Sequence, residues 1–240
     1  MDNCFYIPET DSTNNLLNKL SGECSLPEGF VVYTDHQTAG RGQQGNSWES
    51  ENGKNLLFSQ LLYPKHIPIN EQFLISQAVS IGIKRVLDAY AENISIKWPN
   101  DIFWNDRKIA GILIENTLLG SSIKKSIAGI GLNVNQTDFT APNAVSLKQI
   151  SGKTYERGLI LEQIRESILC IYRHWTAEQI RTEYLQMLYR KSGYFPYSAQ
   201  NEIFEAKIID ILPTGHLELE DRAGKKRRFY FKEVQFEVVG

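Results

Sequence analysis

The string Lys97-Trp98-Pro99-Asn100-Asp101, followed seven residues later by Lys108-Ile109-Ala110-Gly111-Ile112-Leu113, gathers two ammonium groups, a carboxylate and a carboxamide in one short window. A catalytic lysine needs a rigid address, and this window supplies one. Ile94, Ile96 and Trp98 alternate with Ser95 and Lys97, which predicts a half-buried strand. Pro99 ends it, because proline brings no ladder donor and restrains the residue before it. Ile102, Phe103 and Trp104 resume extended structure, and Asn105-Asp106 stand where a two-residue hairpin turn belongs. That turn sets Phe103 opposite Lys108. Asp101 then lies on the same face, diagonal to Lys108, so a carboxylate and an ammonium share one surface. A turn one residue longer would undo this register. Taken singly, Lys97 reads as cover for the sheet edge, Lys108 as a solvated hairpin lysine, and Asn100 and Asp101 as a turn cap.

The loop Gly40-Arg41-Gly42-Gln43-Gln44-Gly45-Asn46-Ser47-Trp48 is the second signal. Its glycines let backbone N–H groups approach an anion, and Arg41 adds a fixed positive charge. No Gly-Lys-Ser/Thr follows, so it is not a P-loop, and it does not open a helix with dinucleotide-binding spacing. Its length, and Trp48 beyond it, predict a lid that orders over a ligand. Alone, such a loop is a flexible surface turn. Ser12-Thr13-Asn14 alone is an ordinary helix cap, Gly129-Ile130-Gly131 close strand packing, and Asn133 a strand end.

The elements that must carry these residues follow from periodicity. Residues 12–20 predict a helix, 29–35 a strand, 38–54 a long loop, 55–63 a strand, 71–90 a helix, 124–135 a strand and 161–188 one or two helices. From Glu202 onward, alternating runs over 208–212, 216–220 and 228–231 are separated by turns at Pro213-Thr214-Gly215 and Ala223-Gly224-Lys225. That pattern predicts a small antiparallel barrel. The change of character divides the chain near Lys191 into a catalytic domain of 1–190 and a C-terminal domain of 191–240. A net charge of -2 makes no case for nucleic acid binding through bulk electrostatics. No apolar run reaches membrane-spanning length, and the first residues carry no secretory signal. Cys4, Cys24 and Cys170 are odd in number and far apart, and the four histidines are scattered. Neither a disulfide framework nor a protein-built metal site is expected. The expectation is a reduced, cytoplasmic protein.

Five segments occur in order: Thr10-Asp11-Ser12-Thr13-Asn14, Gln37-Thr38-Ala39-Gly40-Arg41-Gly42, Lys97 to Asp101, Arg107 to Leu113, and Gly129-Ile130-Gly131-Leu132-Asn133-Val134. This set closely resembles biotin protein ligases from about Asp11 to the C-terminus, including a tail similar to the family's SH3-like domain. The resemblance implies an α+β fold, a mixed β-sheet with flanking helices of the class II synthetase and biotin ligase type, plus a small C-terminal SH3-like β-barrel. It implies that biotin and ATP give biotinyl-adenylate and pyrophosphate, and that a lysine of a biotin carboxyl carrier protein domain then displaces AMP. No enzyme nucleophile is needed, in keeping with the absence of a Ser-His or Cys-His constellation.

By the same resemblance, Lys108, Arg41 and Asp101 are catalytic. Lys108 bridges the biotin carboxylate and the α-phosphate; Asp101 orients phosphate, metal or incoming lysine. Ser12, Thr13, Asn14, Gln37, Arg41, Gly42, Gln43 and Lys108 match biotin-binding positions. Gly40, Arg41, Trp48, Asn100, Lys108 and Asn133 match ATP-binding ones. Mg²⁺ would sit on the phosphates with few protein ligands. Gln43 and Asn46 stand where the family loop is often arginine. With a helix cap already at residue 12, no room is left for the DNA-binding domain of some members, which implies a monofunctional ligase. The rivals are a lipoate-type ligase and a non-catalytic biotinyl-adenylate-binding regulator. A homodimer stays open.

Overall fold

A computed structural model describes residues 3–237. Two sheets organise it. The larger has seven strands: β1 (Cys4–Thr10), β2 (Val31–Gln37), β3 (Leu56–Leu62), β4 (Ile94–Lys97), β5 (Asp101–Trp104), β6 (Arg107–Leu119) and β7 (Ser122–Leu132). Their order is β1-β2-β3-β7-β6-β5-β4. Only β1 and β2 run parallel; the other neighbours are antiparallel. Leu56–Leu62 is buried at every position because layers cover both faces of this central strand. On one face, α1 (Thr13–Glu23) buries Leu17 against Val32, Leu61 and Ile127. On the other, α2 (Phe73–Leu87) packs with the helices that follow the sheet, which are α3 (Leu147–Ser151), α4 (Arg157–His174) and α5 (Ala177–Gln186). The expected helical stretch 161–188 is two helices. The break is at Thr176, whose side chain forms a reciprocal capping box with Gln179.

The predicted hairpin turn is present. Asn105 has φ 49°, Trp104 pairs with Arg107 and Phe103 with Lys108. A bulge between Ile102 and Phe103 then sets Asp101 opposite Gly111. The extra residue leaves Asp101 and Lys108 on one face and moves Asp101 one residue further along β6.

The second sheet holds β8 (Phe195–Ala199), β9 (Glu202–Ile211), β10 (Leu217–Asp221), β11 (Lys226–Phe229) and β12 (Gln235–Phe236), in the order β11-β10-β9-β8-β12. Among the described residues it is open rather than the closed barrel expected, with β11 and the two-residue β12 at its edges. Its core is Tyr197, Phe204, Ala206, Leu217, Leu219 and Phe229. It docks on the first sheet where Trp98 Nε1 donates to the Gly215 carbonyl at 2.9 Å. Among the described residues no helix is long and apolar enough to cross a membrane.

Candidate active site

Three glycines clear a floor on the α1 face of the large sheet. Asp101, Gly111 and Gly131 lie abreast across β5, β6 and β7, and Gly129 lies between Leu113 and Ser59. A Cβ on Gly129 would stand 2.3 Å from Asn14 Oδ1, and one on Gly131 would stand 2.4 Å from Trp48 Cε2. Glycine is therefore required here for close approach. Over this floor opens a cavity of about 220 Å³.

One end of the cavity is a polar network whose inner members, Ser12, Thr13, Asn14 and Ser59, are buried. Ser12 occupies the N-cap position of α1, yet its hydroxyl makes no capping bond, so this buried group is not spent on the helix. The Thr13 amide and hydroxyl both donate to Gln37 Oε1, at 2.8 and 3.1 Å. Ser59 Oγ lies 2.7 Å from Thr13 Oγ1 and 2.6 Å from Asn14 Oδ1. Asn14 Nδ2 donates to Glu115 at 2.7 Å, and Glu115 receives Arg41 at 3.2 Å. The network thus links α1, β2, β3, β6 and the glycine-rich loop.

At the other end Lys108 Nζ stands 2.7 Å from Asp101 Oδ1. These side chains are 31% and 23% exposed, against 44% and 40% for Arg41 and Glu115. The lysine pair is the more sheltered, while solvent screens the arginine pair strongly. Asn100 braces the corner: its Nδ2 donates to the Ile112 carbonyl and its own carbonyl accepts from Ile112 N. From below, Tyr184 Oη donates to the Pro99 carbonyl at 3.3 Å, and burial pushes that phenol well above its ordinary range.

Trp48 lies flat on the glycine floor with Lys108 Nζ 5.5 Å from its ring centroid. It partitions the first cavity from a second of about 340 Å³, which Lys108 and Asn133 also line. Trp48 Nε1 and Asn133 Oδ1 are buried without partners, one donor and one acceptor beside that space. The Asn133 amide is held by donating to the Val145 carbonyl at 3.1 Å.

Of the residues singled out from sequence, the first cavity gathers Ser12, Thr13, Asn14, Gln37, Arg41 and Gly42, together with Gln43, Trp48, Asn100, Asp101 and Lys108. Asn133 faces the second cavity. Gly40 lines neither; its carbonyl accepts from Trp48 N and closes the base of the loop. Lys97 turns away, its Nζ lying 4.7 Å from the Phe103 ring centroid and 5.4 Å from that of Phe236, and burial lowers its pKa. Sequence reasoning missed Ser59, Glu115, Phe231 and Lys232. Ser59 carried a signal, as a polar interruption in an apolar strand. The last two come from the other sheet and gave none. Among the described residues no cluster of three or more His, Cys, Asp or Glu side chains is placed to hold a metal ion.

A model of the biotin/lipoate A/B protein ligase family matches residues 6–135. The chain belongs to that family. The bifunctional ligase/repressor BirA of Bacillus spizizenii is 33% identical over 176 residues, covering 71% of this chain and 53% of the relative. Biotin--protein ligase 1, chloroplastic, of Arabidopsis thaliana is 35% identical over 176 residues, covering 70% and 45%. This ligase-family chain spans about half the length of the curated relatives it matches. In fold it resembles the biotin protein ligase from Aquifex aeolicus in complex with biotin and ATP, with a TM-score of 0.79 at 23% identity, covering 99% of this chain and all of that one.

Proposed function

We propose that this chain activates biotin with ATP to biotinyl-5'-adenylate and transfers the biotinyl group to a lysine of a biotin carboxyl carrier protein domain of a carboxylase. The observation that carries the reading is the Lys108–Asp101 pair, set between the Thr13–Gln37–Ser59–Asn14 network, with Ser12 beside it, and the Asn133 cavity. Relatives named as a biotin--protein ligase and a biotin--[acetyl-CoA-carboxylase] ligase support it.

The ureido ring of biotin has two N–H donors and one carbonyl, which suits a cluster of hydroxyls and carboxamides. The Ser12 hydroxyl and Gln37 Nε2 are available to it, while Asn14, fully engaged with Ser59 and Glu115, fixes the cluster's geometry. The valeryl chain then runs over the glycine floor beside Trp48 towards Lys108. In the first step a carboxylate oxygen bonds to the α-phosphorus as the bond to pyrophosphate breaks, and the electron pair leaves with pyrophosphate. Lys108 lies where both reacting anions must meet, and it holds their mutual repulsion down throughout. In the second step the carrier amine attacks the acyl carbon and AMP departs. Asp101 is the titratable anion beside that point, suited to orienting the incoming ammonium and receiving its proton. Orphaned Asn133 Oδ1 suits the adenine amino group.

Asp101 is the one carboxylate among the described residues lining the first cavity, which fits Mg²⁺, an ion that takes one or two carboxylates and otherwise phosphate oxygens and water. Asp101 would hold it, and when bound it would supply charge neutralisation on the phosphates. The same reading covers a cytoplasmic enzyme of two domains, 1–190 and 191–240.

The test is transfer of labelled biotin to a carrier fragment with ATP, run in parallel with lipoate. Labelled carrier with biotin alone supports the proposal. Transfer of lipoate, or adenylate formed but never transferred, overturns it in favour of the lipoate-type or regulatory reading.

A further inference from the structure

Asn14 stands between groups that fix which way its carboxamide faces. Its Nδ2 lies 2.7 Å from Glu115 Oε2 and 3.4 Å from the Leu113 carbonyl. An ionised carboxylate and a carbonyl only accept, so the amide turns its N–H groups to them and its Oδ1 the other way. Oδ1 therefore meets Ser59 Oγ at 2.6 Å as an acceptor and takes the single Ser59 hydroxyl proton. The far end of the cluster is fixed in the same sense. The Thr13 amide donates to Gln37 Oε1 at 2.8 Å, which leaves that oxygen an acceptor for the Thr13 hydroxyl at 3.1 Å.

Between these two acceptors stand the hydroxyls of Thr13 and Ser59, 2.7 Å apart. Three oxygen–oxygen contacts thus share two protons. With the Ser59 proton on Asn14 and the Thr13 proton on Gln37, lone pairs face each other between the hydroxyls. Ser59 is fully buried, and Thr13 and Asn14 are each 3% exposed, so solvent offers little relief. Thr13 lines the first cavity. The cluster is short of a donor and presents Thr13 Oγ1 to the cavity as an acceptor.

Resting on the ligase reading above, we propose that Glu115 is a positioning residue that selects for the N–H groups of biotin, by keeping the Asn14–Ser59–Thr13 chain short of a proton. A ureido N–H donating to Thr13 Oγ1 supplies the missing donor. The dithiolane ring of lipoate has no N–H and leaves the shortage standing. The same cluster therefore favours biotin over lipoate in a family that holds ligases for both, because a site built for a donor rejects a ligand that lacks it. Glu115 acts through Asn14 alone in this respect, and its contact with Arg41 is a separate tie to the loop.

The experiment compares wild type with Glu115→Gln, Glu115→Lys and the double variant Glu115→Lys/Asn14→Asp. It measures affinity for biotin and for lipoate by calorimetry without ATP, with a thermal melt of each variant. A lysine only donates, so in Glu115→Lys the Asn14 amide turns Oδ1 to it and Nδ2 to Ser59, whose freed proton then occupies Thr13 Oγ1. Biotin affinity should fall about tenfold, the loss of roughly one hydrogen bond. Glu115→Gln offers one acceptor and one donor where the carboxylate offers two acceptors, and should lose about threefold. Adding Asn14→Asp to Glu115→Lys restores an oxygen that accepts from Ser59 whatever stands at position 115, and biotin affinity should return to within about threefold of wild type. Arg41 has lost its carboxylate in both lysine-bearing variants, so the recovery reports the proton chain and not the loop. Unchanged biotin affinity in Glu115→Lys, or a loss that Asn14→Asp does not relieve, overturns the proposal. A wild type that binds lipoate and not biotin overturns the ligase reading and the proposal with it, whereas one that binds biotin leaves the variants to judge Glu115.

Discussion

Arg157 of α4 clasps Asp35 of β2, with Nη2 2.8 Å from Asp35 Oδ1, and thereby holds the two roots of the glycine-rich loop together. Its Nη1 donates to the Asn55 carbonyl at 3.0 Å, at the loop's far end. The Gly53 amide also donates to the Asp35 carbonyl, and Tyr6 Oη to Asp35 Oδ2 at 2.7 Å. A lid that orders over its ligand needs fixed roots, or closure would cost the entropy of the flanking chain as well. Arg157→Met should therefore speed amide exchange through residues 38–54 without ligand, and shrink the protection gained on adding biotin and ATP. The pair is about 30% exposed on each side, so global stability should fall by only about 1 kcal/mol. Unaltered exchange in the loop would show that its roots are held by backbone bonds alone.

Lys108→Ala should cut adenylate formation by about 10²–10³, the usual cost of losing one preorganised charge stabiliser. The fold should survive, since the Lys108 side chain is about one-third exposed and its backbone is held by bonds to Asn143 and Val145 that the substitution leaves in place. Pre-steady-state release of pyrophosphate, alongside a thermal melt, checks both halves. A near wild-type rate would make the Lys108–Asp101 pair structural.

Gly129→Ala tests the floor. The new methyl would meet Asn14 Oδ1 at 2.3 Å, and Asn14 is held by Ser59 on one side and Glu115 on the other, so it has nowhere to go. We expect a loss of about 1–3 kcal/mol in stability from overpacking and a larger loss in biotin affinity. Gly158→Ala is the control: nothing lies within 4 Å of its added Cβ, and alanine in helix α4 should be neutral or stabilising by up to about 1 kcal/mol. Calorimetry with biotin that ranks the two variants alike would remove the close-packing argument.

Alkaline stability should fall steeply above about pH 10. Burial raises Tyr172, Tyr184 and Tyr197 above their ordinary 10.0. In that window the unfolded chain releases phenol protons that the fold retains, so stability is lost as pH rises, by about 1.4 kcal/mol per pH unit for each tyrosine. Lys97 and Lys125, lowered by burial, act oppositely: the fold favours their neutral forms, and stability rises with pH from their lowered values up to 10.5. Above 10.5 both states carry them neutral, so the tyrosines decide. Urea unfolding at stepped pH should show this slope, reduced in Tyr184→Phe. A flat profile up to about pH 11.5 would contradict it.

What was legible in the sequence was local. Alternation around Ile94–Trp98 and the Asn105-Asp106 turn were enough to set Lys108 opposite Phe103, because a two-residue turn leaves little freedom of register. The bulge at Ile102 was invisible, since the side-chain alternation on either side of it still reads as a strand. β1 was missed because Pro8 breaks its pattern. It is tolerated there because β1 is an edge strand, and the Pro8 carbonyl is used by Thr34 Oγ1. Ser12 read as a helix cap by type and position, and only the three-dimensional bonding shows its hydroxyl unspent on that task. Lys232 lines the first cavity from more than a hundred residues beyond the window at Lys97–Leu113, out of reach of any spacing argument. The closed barrel failed because the alternation that marks its strands is equally that of an open sheet.

Gln43 opens the single helical turn Gln43–Gly45 in the loop and lines the first cavity. The turn is pinned on both sides, by Gly42 N donating to the Asn46 carbonyl at 2.6 Å and Asn46 N to the Gln43 carbonyl at 3.3 Å, so position 43 is aimed rather than free. A neutral amide there offers a hydrogen bond without charge. Gln43→Arg adds charge-assisted bonds to a phosphate, worth about 1.5–3 kcal/mol when shielded from water. Arg41 and Lys108 already bring positive charge to the cavity, so the lower end should apply. Escape of preformed biotinyl-adenylate should slow about tenfold, with little change in biotin affinity measured without ATP. The dissociation rate of adenylate from both forms, without carrier, is the measurement. An unchanged rate would mean that side chain 43 does not reach the phosphate in the closed loop.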